Sequence, residues 1–210
     1  MSIAQSPLLG PMKGSMGNFT VYMMNDKVIV RSKAFEIKDA KTEKQLNVRA
    51  RMALLAKMYQ AFENVIRLGF IENCDKKSPQ NMFVKANFKT AFDMTDKVPV
   101  ISYPLLLLSK GSMPEVKVID AVANADGIIV RYDADLYPDI LIATDEIIAC
   151  ARLITGEIII ARQIRGYDAI GTILLKYPAP DVAVVESCYV ITRSGDGKKA
   201  SNSVFVEMKR

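Results

Sequence analysis

Four aspartates lie close together in the second half of the sequence, and their carboxylates are the first candidates for chemistry. Calcium prefers several oxygen ligands, but a calcium-binding loop needs a central glycine and a bidentate glutamate at its end. Neither residue stands at that spacing here. We therefore interpret the four as solvated turn residues: Asp126, Asp133, Asp135 and Asp139.

Other catalytic chemistry is poorly supported by the residue types. Glu63, Asp93 and Glu186 are spread over the chain, and their spacing predicts no carboxylate pair for acid–base work. The sequence holds no histidine, which excludes Ser-His and Cys-His nucleophile pairs and the usual zinc sites. We therefore expect no enzymatic activity, no cofactor and no small-molecule substrate.

The cysteine content indicates a reducing environment. The chain has three cysteines, Cys74, Cys150 and Cys188, and no secretory signal pattern precedes them. An odd, sparse set of this kind is typical of reduced thiols in a cytoplasmic protein. A disulfide between Cys150 and Cys188 across a β-sandwich is the alternative.

Basic side chains form the remaining candidate site. Residues 1–112 carry 17 Lys or Arg against 9 Asp or Glu, whereas residues 113–210 carry 11 against 14. A basic front and an acidic back predict head-to-tail contacts between copies, which generate rings when the rotation closes and filaments when it does not. Nucleic acid is the alternative partner, although its readers usually show a denser basic run with aromatic residues. The side chains expected to bind a partner are Lys13, Arg31, Lys33, Arg49 and Arg51.

The basic residues of the front must be positioned by a β-hairpin and by a long helix. Residues 10–17 are rich in glycine and predict a loop, and the spacing of a phosphate-binding loop is absent. Residues 19–24 and 27–32 alternate around Asn25-Asp26, which predicts a β-hairpin. A hairpin alone is marginally stable in water, so we expect this arm to pack on the long helix or on another subunit.

Two helices follow the hairpin in the sequence. Thr42 and Gln45 form a capping box at the start of a helix that Gly69 ends. Ser78-Pro79 predicts the start of a second helix. The apolar stripe of the first helix comprises Leu46, Ala50, Leu54, Met58, Phe62, Val65 and Ile66, and that of the second comprises Val84, Phe88, Ala91 and Phe92.

The remainder of the chain is rich in β-structure. Residues 100–109 predict a buried strand interrupted by Pro104, and residues 110–114 predict a domain boundary. The fold class expected is α+β, with a front domain at 1–112 and an antiparallel β-sandwich of immunoglobulin or fibronectin type III character at 113–210. The predicted strands are residues 116–123, 127–132, 140–144, 147–153, 157–163, 169–177, 182–192 and 200–208.

No apolar run approaches the roughly 20 residues that a membrane-spanning helix needs. We therefore expect no membrane association and a cytoplasmic location at synthesis.

Several segments, taken in their order along the chain, form a recognisable pattern: Gly10-Pro11, Gly14, Gly17, Val30-Arg31-Ser32, Thr42-Glu43, Gln45-Leu46, Arg49-Ala50, Phe83 to Ala86, Asn87, Ala91, Ser109-Lys110-Gly111, Ser201, Ser203 and Phe205. Together they resemble an uncharacterised family, a domain of unknown function found in Bacteroidetes-type bacteria and their mobile elements. The chain departs from the family pattern near Met23 or Met24, where a tryptophan is expected, and at Val84, where asparagine is usual. The resemblance implies a helical front, a β-sandwich back and no known enzymatic activity.

These features together predict a structural protein that forms homo-oligomers and contacts other structural proteins. For a phage-encoded chain, the expected location is the virion, as a ring, tail or neck component. A nucleic-acid-associated protein that binds through the basic front is the alternative.

Overall fold

The computed structural model contains two compact units, Met1–Thr42 and Glu43–Arg210. Each unit is described by itself below. The residues that the structure describes are 2–3, 13–24, 27–34, 39–72, 77–93, 98–133, 142–168, 170–178 and 185–208.

The first unit contains a four-stranded antiparallel sheet, with the order β1-β4-β3-β2. The predicted hairpin is confirmed, and its turn at residues 25–26 lies outside the described residues. The predicted loop was wrong in part, because Gly14–Met16 pairs with the hairpin as a strand and Gly17 makes the turn with φ +50°. Residues 10–12 of that loop lie outside the described part. The strands are β1 (Ser2–Ile3), β2 (Gly14–Met16), β3 (Phe19–Met24) and β4 (Lys27–Ser32).

The second unit begins with the predicted long helix, α1 (Glu43–Gly69). The helix is kinked at Phe62, whose backbone angles of φ −99° and ψ 18° are not helical. Of the predicted stripe, Phe62, Val65 and Ile66 are buried, whereas Leu46 near the start of the helix is exposed. The other three members are half-buried, and Leu55, which the stripe did not include, is fully buried. The helix therefore packs mainly through its last four turns.

The second helix, α2 (Pro79–Asn87), starts where the sequence predicts. The Ser78 hydroxyl oxygen accepts a hydrogen bond from the Asn81 amide at 3.3 Å, which is the expected cap. Within α2 the buried residues are Phe83 and Asn87, one position before the predicted Val84 and Phe88. The predicted Ala91 and Phe92 are buried, but they lie beyond the end of the helix. A buried asparagine on the inner face was not foreseen.

The predicted strand over residues 100–109 was mostly wrong. Only β6 (Val100–Ile101) is extended in a sheet, paired with β5 (Phe92–Asp93). A short 3-10 helix, Tyr103–Leu105, follows at Pro104. Residues 106–113, called here the connecting segment, then run without regular structure and bury Leu106, Leu108 and Ser109.

Seven further strands form two antiparallel sheets, which confirms the α+β class. The strand orders are β10-β9-β12-β13 and β11-β8-β7. The predicted strand at 140–144 is absent over residues 142–144, and its first two residues lie outside the described part. The strands are β7 (Lys117–Ala123), β8 (Gly127–Asp133), β9 (Glu146–Leu153), β10 (Ile158–Ile164), β11 (Ile170–Lys176), β12 (Val185–Arg193) and β13 (Val204–Phe205).

The four-stranded sheet of the second unit separates two hydrophobic cores. One core joins it to the three-stranded sheet through residues such as Val130, Ala149 and Val190. The other core joins its opposite face to both helices, where the rings of Phe62 and Tyr189 meet edge to face at 6.1 Å. The two units divide between Thr42 and Glu43, and the domain boundary expected at 112/113 stays a prediction.

The two described cysteines are buried free thiols on opposite faces of this sheet. Cys188 lies in the core between the sheets and Cys150 in the core beneath the helices. This placement contradicts the alternative of a disulfide between them. Cys74 lies outside the described residues.

Alkaline pH is expected to destabilise the fold through these thiols. Burial raises the pKa of Cys188 to about 12 from an ordinary value of 9.0, and burial raises that of Cys150 well above its ordinary value. Because the folded state keeps its protons longer, the stabilisation is complete below pH 9 and is lost as pH rises from about 9 towards 12. Urea midpoints at pH 8 and pH 10 measure this loss.

A Cys188→Ala variant is the control for that measurement. Its midpoint at pH 8 reports the packing cost, and its decline between pH 8 and pH 10 should be smaller than that of the parent chain. Equal declines would show that this thiol does not contribute to the alkaline sensitivity.

No helix within the described ranges is long and apolar enough to cross a membrane.

Candidate functional site

One face of the sheet of the first unit is formed mostly by apolar side chains. Residues paired across an antiparallel sheet lie on the same face and alternate along each strand. The pairs Met16↔Phe19, Val21↔Val30 and Met23↔Val28 therefore share a face. Met16 is 59% exposed, Phe19 53% and Met23 39%. This set, called here the apolar arm face, comprises Met16, Phe19, Val21, Met23, Val28 and Val30.

The opposite face of the same sheet carries two basic side chains on either side of the buried Ile29. Arg31 pairs with Thr20 and Lys27 with Met24, and both basic residues are exposed. Lys13 stands just before β2, and Lys33 just after β4, where its amide donates to the Asn18 carbonyl at 2.7 Å. Three of the five predicted partner-binding residues are thus exposed in this unit: Lys13, Arg31 and Lys33.

The other two predicted residues lie in the second unit, in the first turns of α1. Arg49 is exposed, whereas Arg51 is half-buried with its guanidinium carbon 5.4 Å from the centroid of the Phe92 ring. A cation over an aromatic face stabilises the fold. The Arg51 guanidinium therefore packs on an aromatic ring of its own unit.

The carboxylates considered for catalysis have separate partners. Glu63 pairs with Arg67 on α1 at 2.7 Å, and Glu186 pairs with Arg152 across two strands. Asp126 and Asp133 lie at the two ends of β8, outside any three-residue cluster suited to a metal, and no such cluster occurs within the described ranges. Asp135 and Asp139 lie outside those ranges.

The connecting segment is held by hydrogen bonds to α1, to α2 and to the loop between β12 and β13. The Ser109 hydroxyl lies 2.9 Å from the Gly69 carbonyl oxygen and 2.5 Å from that of Ser201. The Leu108 amide donates to the Ser203 hydroxyl oxygen at 2.9 Å. A Cβ on Gly69 would lie only 2.5 Å from the Ser109 Cβ, so the close approach requires glycine.

Asn87 joins the same segment to α2. Its side-chain nitrogen donates to the Leu107 carbonyl at 2.8 Å, and its side-chain oxygen accepts from the Leu107 amide at 2.8 Å. The nitrogen also lies 3.0 Å from the Phe83 carbonyl, and the side chain is fully buried. The asparagine thus substitutes for a β-strand partner of Leu107.

A pocket of about 630 Å³ opens between the end of α1, α2 and the connecting segment. Its floor includes Phe70, Met82 and Ala86. Sequence reasoning did not group these residues, because they are brought together only by tertiary packing. The charged residues that line it are Glu72, Lys77, Lys85 and Lys110.

Glu72 holds one wall of this pocket. A single carboxylate oxygen, Oε1, accepts from the Ser112 amide at 2.8 Å, the Ser112 hydroxyl at 3.0 Å and the Ala200 amide at 3.3 Å. These bonds connect the residues just after α1 to the connecting segment and to the loop between β12 and β13. The carboxylate is therefore part of the wall's structure.

The sequence was compared with models of known protein families, with curated proteins and with solved structures. The model of a family of unknown function, DUF6266, matches residues 12–207. Neither the curated proteins nor the solved structures contain a match to this chain. The match spans nearly the whole sequence and confirms the resemblance to an uncharacterised family. The chain therefore belongs to the DUF6266 family.

Proposed function

We propose that the protein is a non-enzymatic structural protein that assembles into a larger particle through its N-terminal arm and its β-sandwich. The observation that carries the proposal is the apolar arm face, which exposes the paired Met16 and Phe19 and, further along the same face, Met23. Contiguous exposed apolar surface on a small sheet is typical of an interaction site. The occupant that we propose is a second copy of this chain.

Charge supports a second copy as the occupant. Residues 1–42 carry six basic and three acidic side chains. Residues 113–210 carry 11 basic and 14 acidic side chains. The arm of one copy would thus meet an oppositely charged half of the next, and repetition of this contact gives a ring or a filament.

The β-sandwich offers a second apolar surface for this contact. On the outer face of the three-stranded sheet, Val122 pairs with Ile129 and Ile129 with Leu174. Val122 and Leu174 are exposed. This row crosses the whole sheet beside the Asp120–Arg131 ion pair. An arm docked here would bury apolar surface on both copies.

We assign the sandwich to the fibronectin type III variant of the immunoglobulin-like class. Its seven strands, lettered A to G in chain order, pair as A-B-E and D-C-F-G. In immunoglobulin constant domains the fourth strand instead lies in the sheet of A, B and E. Placement of strand D beside strand C supports the fibronectin type III arrangement.

The biological setting that we propose is a virion component, such as a ring, tail or neck protein, of a phage of Bacteroidetes-type bacteria. The resemblance to proteins of mobile elements and the head-to-tail polarity of the charges support this setting.

Native mass measured by light scattering on a sizing column tests the assembly proposal. The full chain should form an oligomer at micromolar concentration. A Phe19→Ser, Met23→Ser double variant should dissociate at least about tenfold more readily, because each buried apolar side chain contributes roughly 1.5–3 kcal/mol. Met24→Ser is the matched control, since Met24 is equally exposed but lies on the opposite face. A chain that stays monomeric at every concentration would contradict the proposal.

Nucleic-acid binding is the second candidate function. The specific observation that favours it is the other face of the arm, where Lys27 and Arg31 lie beside Tyr22. Absorbance at 260 nm on the same column distinguishes the two functions. Nucleic acid that co-elutes at low salt and is released at high salt would support this candidate.

A further inference from the structure

We infer that the pocket between α1, α2 and the connecting segment binds an acidic peptide segment that carries apolar side chains, supplied by a partner protein. The pocket lies entirely within the second unit and uses none of the arm residues. The inference is thus independent of the proposed assembly through the arm.

The charge of the pocket favours an anionic ligand. Three lysines and one glutamate line it. Lys77, Lys85 and Lys110 are exposed, so their ammonium groups can pair with carboxylates at the pocket mouth. Glu72 already accepts three hydrogen bonds through Oε1. The net charge of the lining side chains is positive.

The floor of the pocket favours a peptide with apolar side chains. Met82 and Ala86 are half-buried and contribute apolar surface to the lining of the pocket. Methionine adapts its shape to varied apolar partners. A volume of about 630 Å³ lies within the range of sites that enclose a drug-sized ligand, so apolar side chains of a short segment can enter.

The same floor argues against nucleic acid as the ligand. Single-stranded nucleic acid is held by bases that stack on exposed aromatic rings. The aromatic residue of the lining is Phe70, and it is only 1% exposed, because it packs edge to face on Phe83. Phosphate contacts alone would leave the apolar floor unused.

Fluorescence anisotropy with labelled peptides tests the inference on the full chain. The probe is a ten-residue peptide of alternating aspartate and leucine. One control peptide has asparagine in place of aspartate, and another has serine in place of leucine. We expect the probe to bind at least tenfold more tightly than either control, because both the charge and the apolar side chains contribute.

A Lys85→Glu, Lys110→Glu variant locates the site. It should bind the probe at least tenfold more weakly than the parent chain. Lys89→Glu is the matched control, because Lys89 is exposed just beyond α2 and does not line the pocket. Urea midpoints within error of the parent show that these exposed changes leave the fold intact.

Three results would overturn the inference. Equal binding of the leucine and serine peptides would show a site for any polyanion, and tighter binding of a single-stranded oligonucleotide would show a nucleic-acid site. Equal loss of affinity in the Lys89→Glu variant would show a diffuse charge effect without a pocket. Each of these outcomes is independent of the native mass that tests the arm.

Discussion

An Asn87→Ala variant is expected to lose about 2–4 kcal/mol of unfolding free energy. The substitution removes the only side chain that the structure shows bonding both the amide and the carbonyl of Leu107 within the described residues. Each of the two Leu107 groups that lose their partner costs roughly 1–2 kcal/mol, the lower part of the range for buried polar groups, because Leu107 is only half-buried. The Phe83 carbonyl is less affected, since it also belongs to the helical hydrogen-bond ladder of α2. Urea denaturation followed by circular dichroism measures the loss.

Asn81→Ala is the matched control for this variant. Asn81 lies on the same helix but is exposed, so its replacement should change the unfolding free energy by less than about 0.5 kcal/mol. An Asn87→Asp variant separates hydrogen bonding from packing, because it keeps the shape and the acceptor but loses the donor and adds a charge. If Asn87→Ala were as stable as the control, water must reach Leu107 and the bridging role would be refuted.

A Gly111→Ala variant should be destabilised by about 1–3 kcal/mol through steric overlap. A Cβ at this position would lie 2.1 Å from the Ala200 carbonyl oxygen and 2.7 Å from Oε1 of Glu72. The Ala200 carbonyl accepts from the Met113 amide at 2.9 Å, so moving away would break a hydrogen bond. The thermal unfolding midpoint, measured by calorimetry, should fall by several degrees.

Lys110→Ala provides the comparison, because its side chain is exposed and adjacent in the chain. It should leave the midpoint nearly unchanged. Similar midpoints for the two variants would show that the connecting segment can shift to accommodate the Cβ. The packing of Gly111 against Ala200 would then contribute little to the free energy of unfolding.

Local signals allowed much of the secondary structure to be predicted. The hairpin over β3 and β4 follows from alternation around a turn pair, and the starts of α1 and α2 follow from capping residues that act within four positions. Strands such as β8, β9 and β11 were also predicted closely, because alternating burial and glycine or proline turns are visible over a few residues. These features depend on neighbours along the chain.

The positions that were predicted poorly depend on distant residues. Asn87 occupies an inward position of α2 only because the Leu107 backbone, twenty residues later, needs partners there. Residues 110–114 have the composition of a linker, yet Ser112 bonds to Glu72 and Gly111 packs against Ala200. The composition of a segment indicates how flexible it would be alone, but it does not show which distant residues the segment will contact.

The candidate sites show the same limit. A count of charges identified the basic front and the exposed residues Lys13, Arg31 and Lys33. It also selected Arg51, whose guanidinium packs on Phe92. The lysine-lined pocket escaped notice, since Lys77, Lys85 and Lys110 come from three separate elements.

Because the four-stranded sheet of the second unit has a core on each face, residues 113–210 are not expected to fold well when they are moved into another protein without the helices. Residues 113–210 taken alone would present Ile148, Cys150, Tyr189 and Ile191 to water, the very surface that the helices cover. Such a fragment would expose a large apolar surface and is expected to aggregate. The two helices and the two sheets of the second unit therefore depend on each other for folding. We expect recombination among relatives to exchange residues 43–210 as a whole.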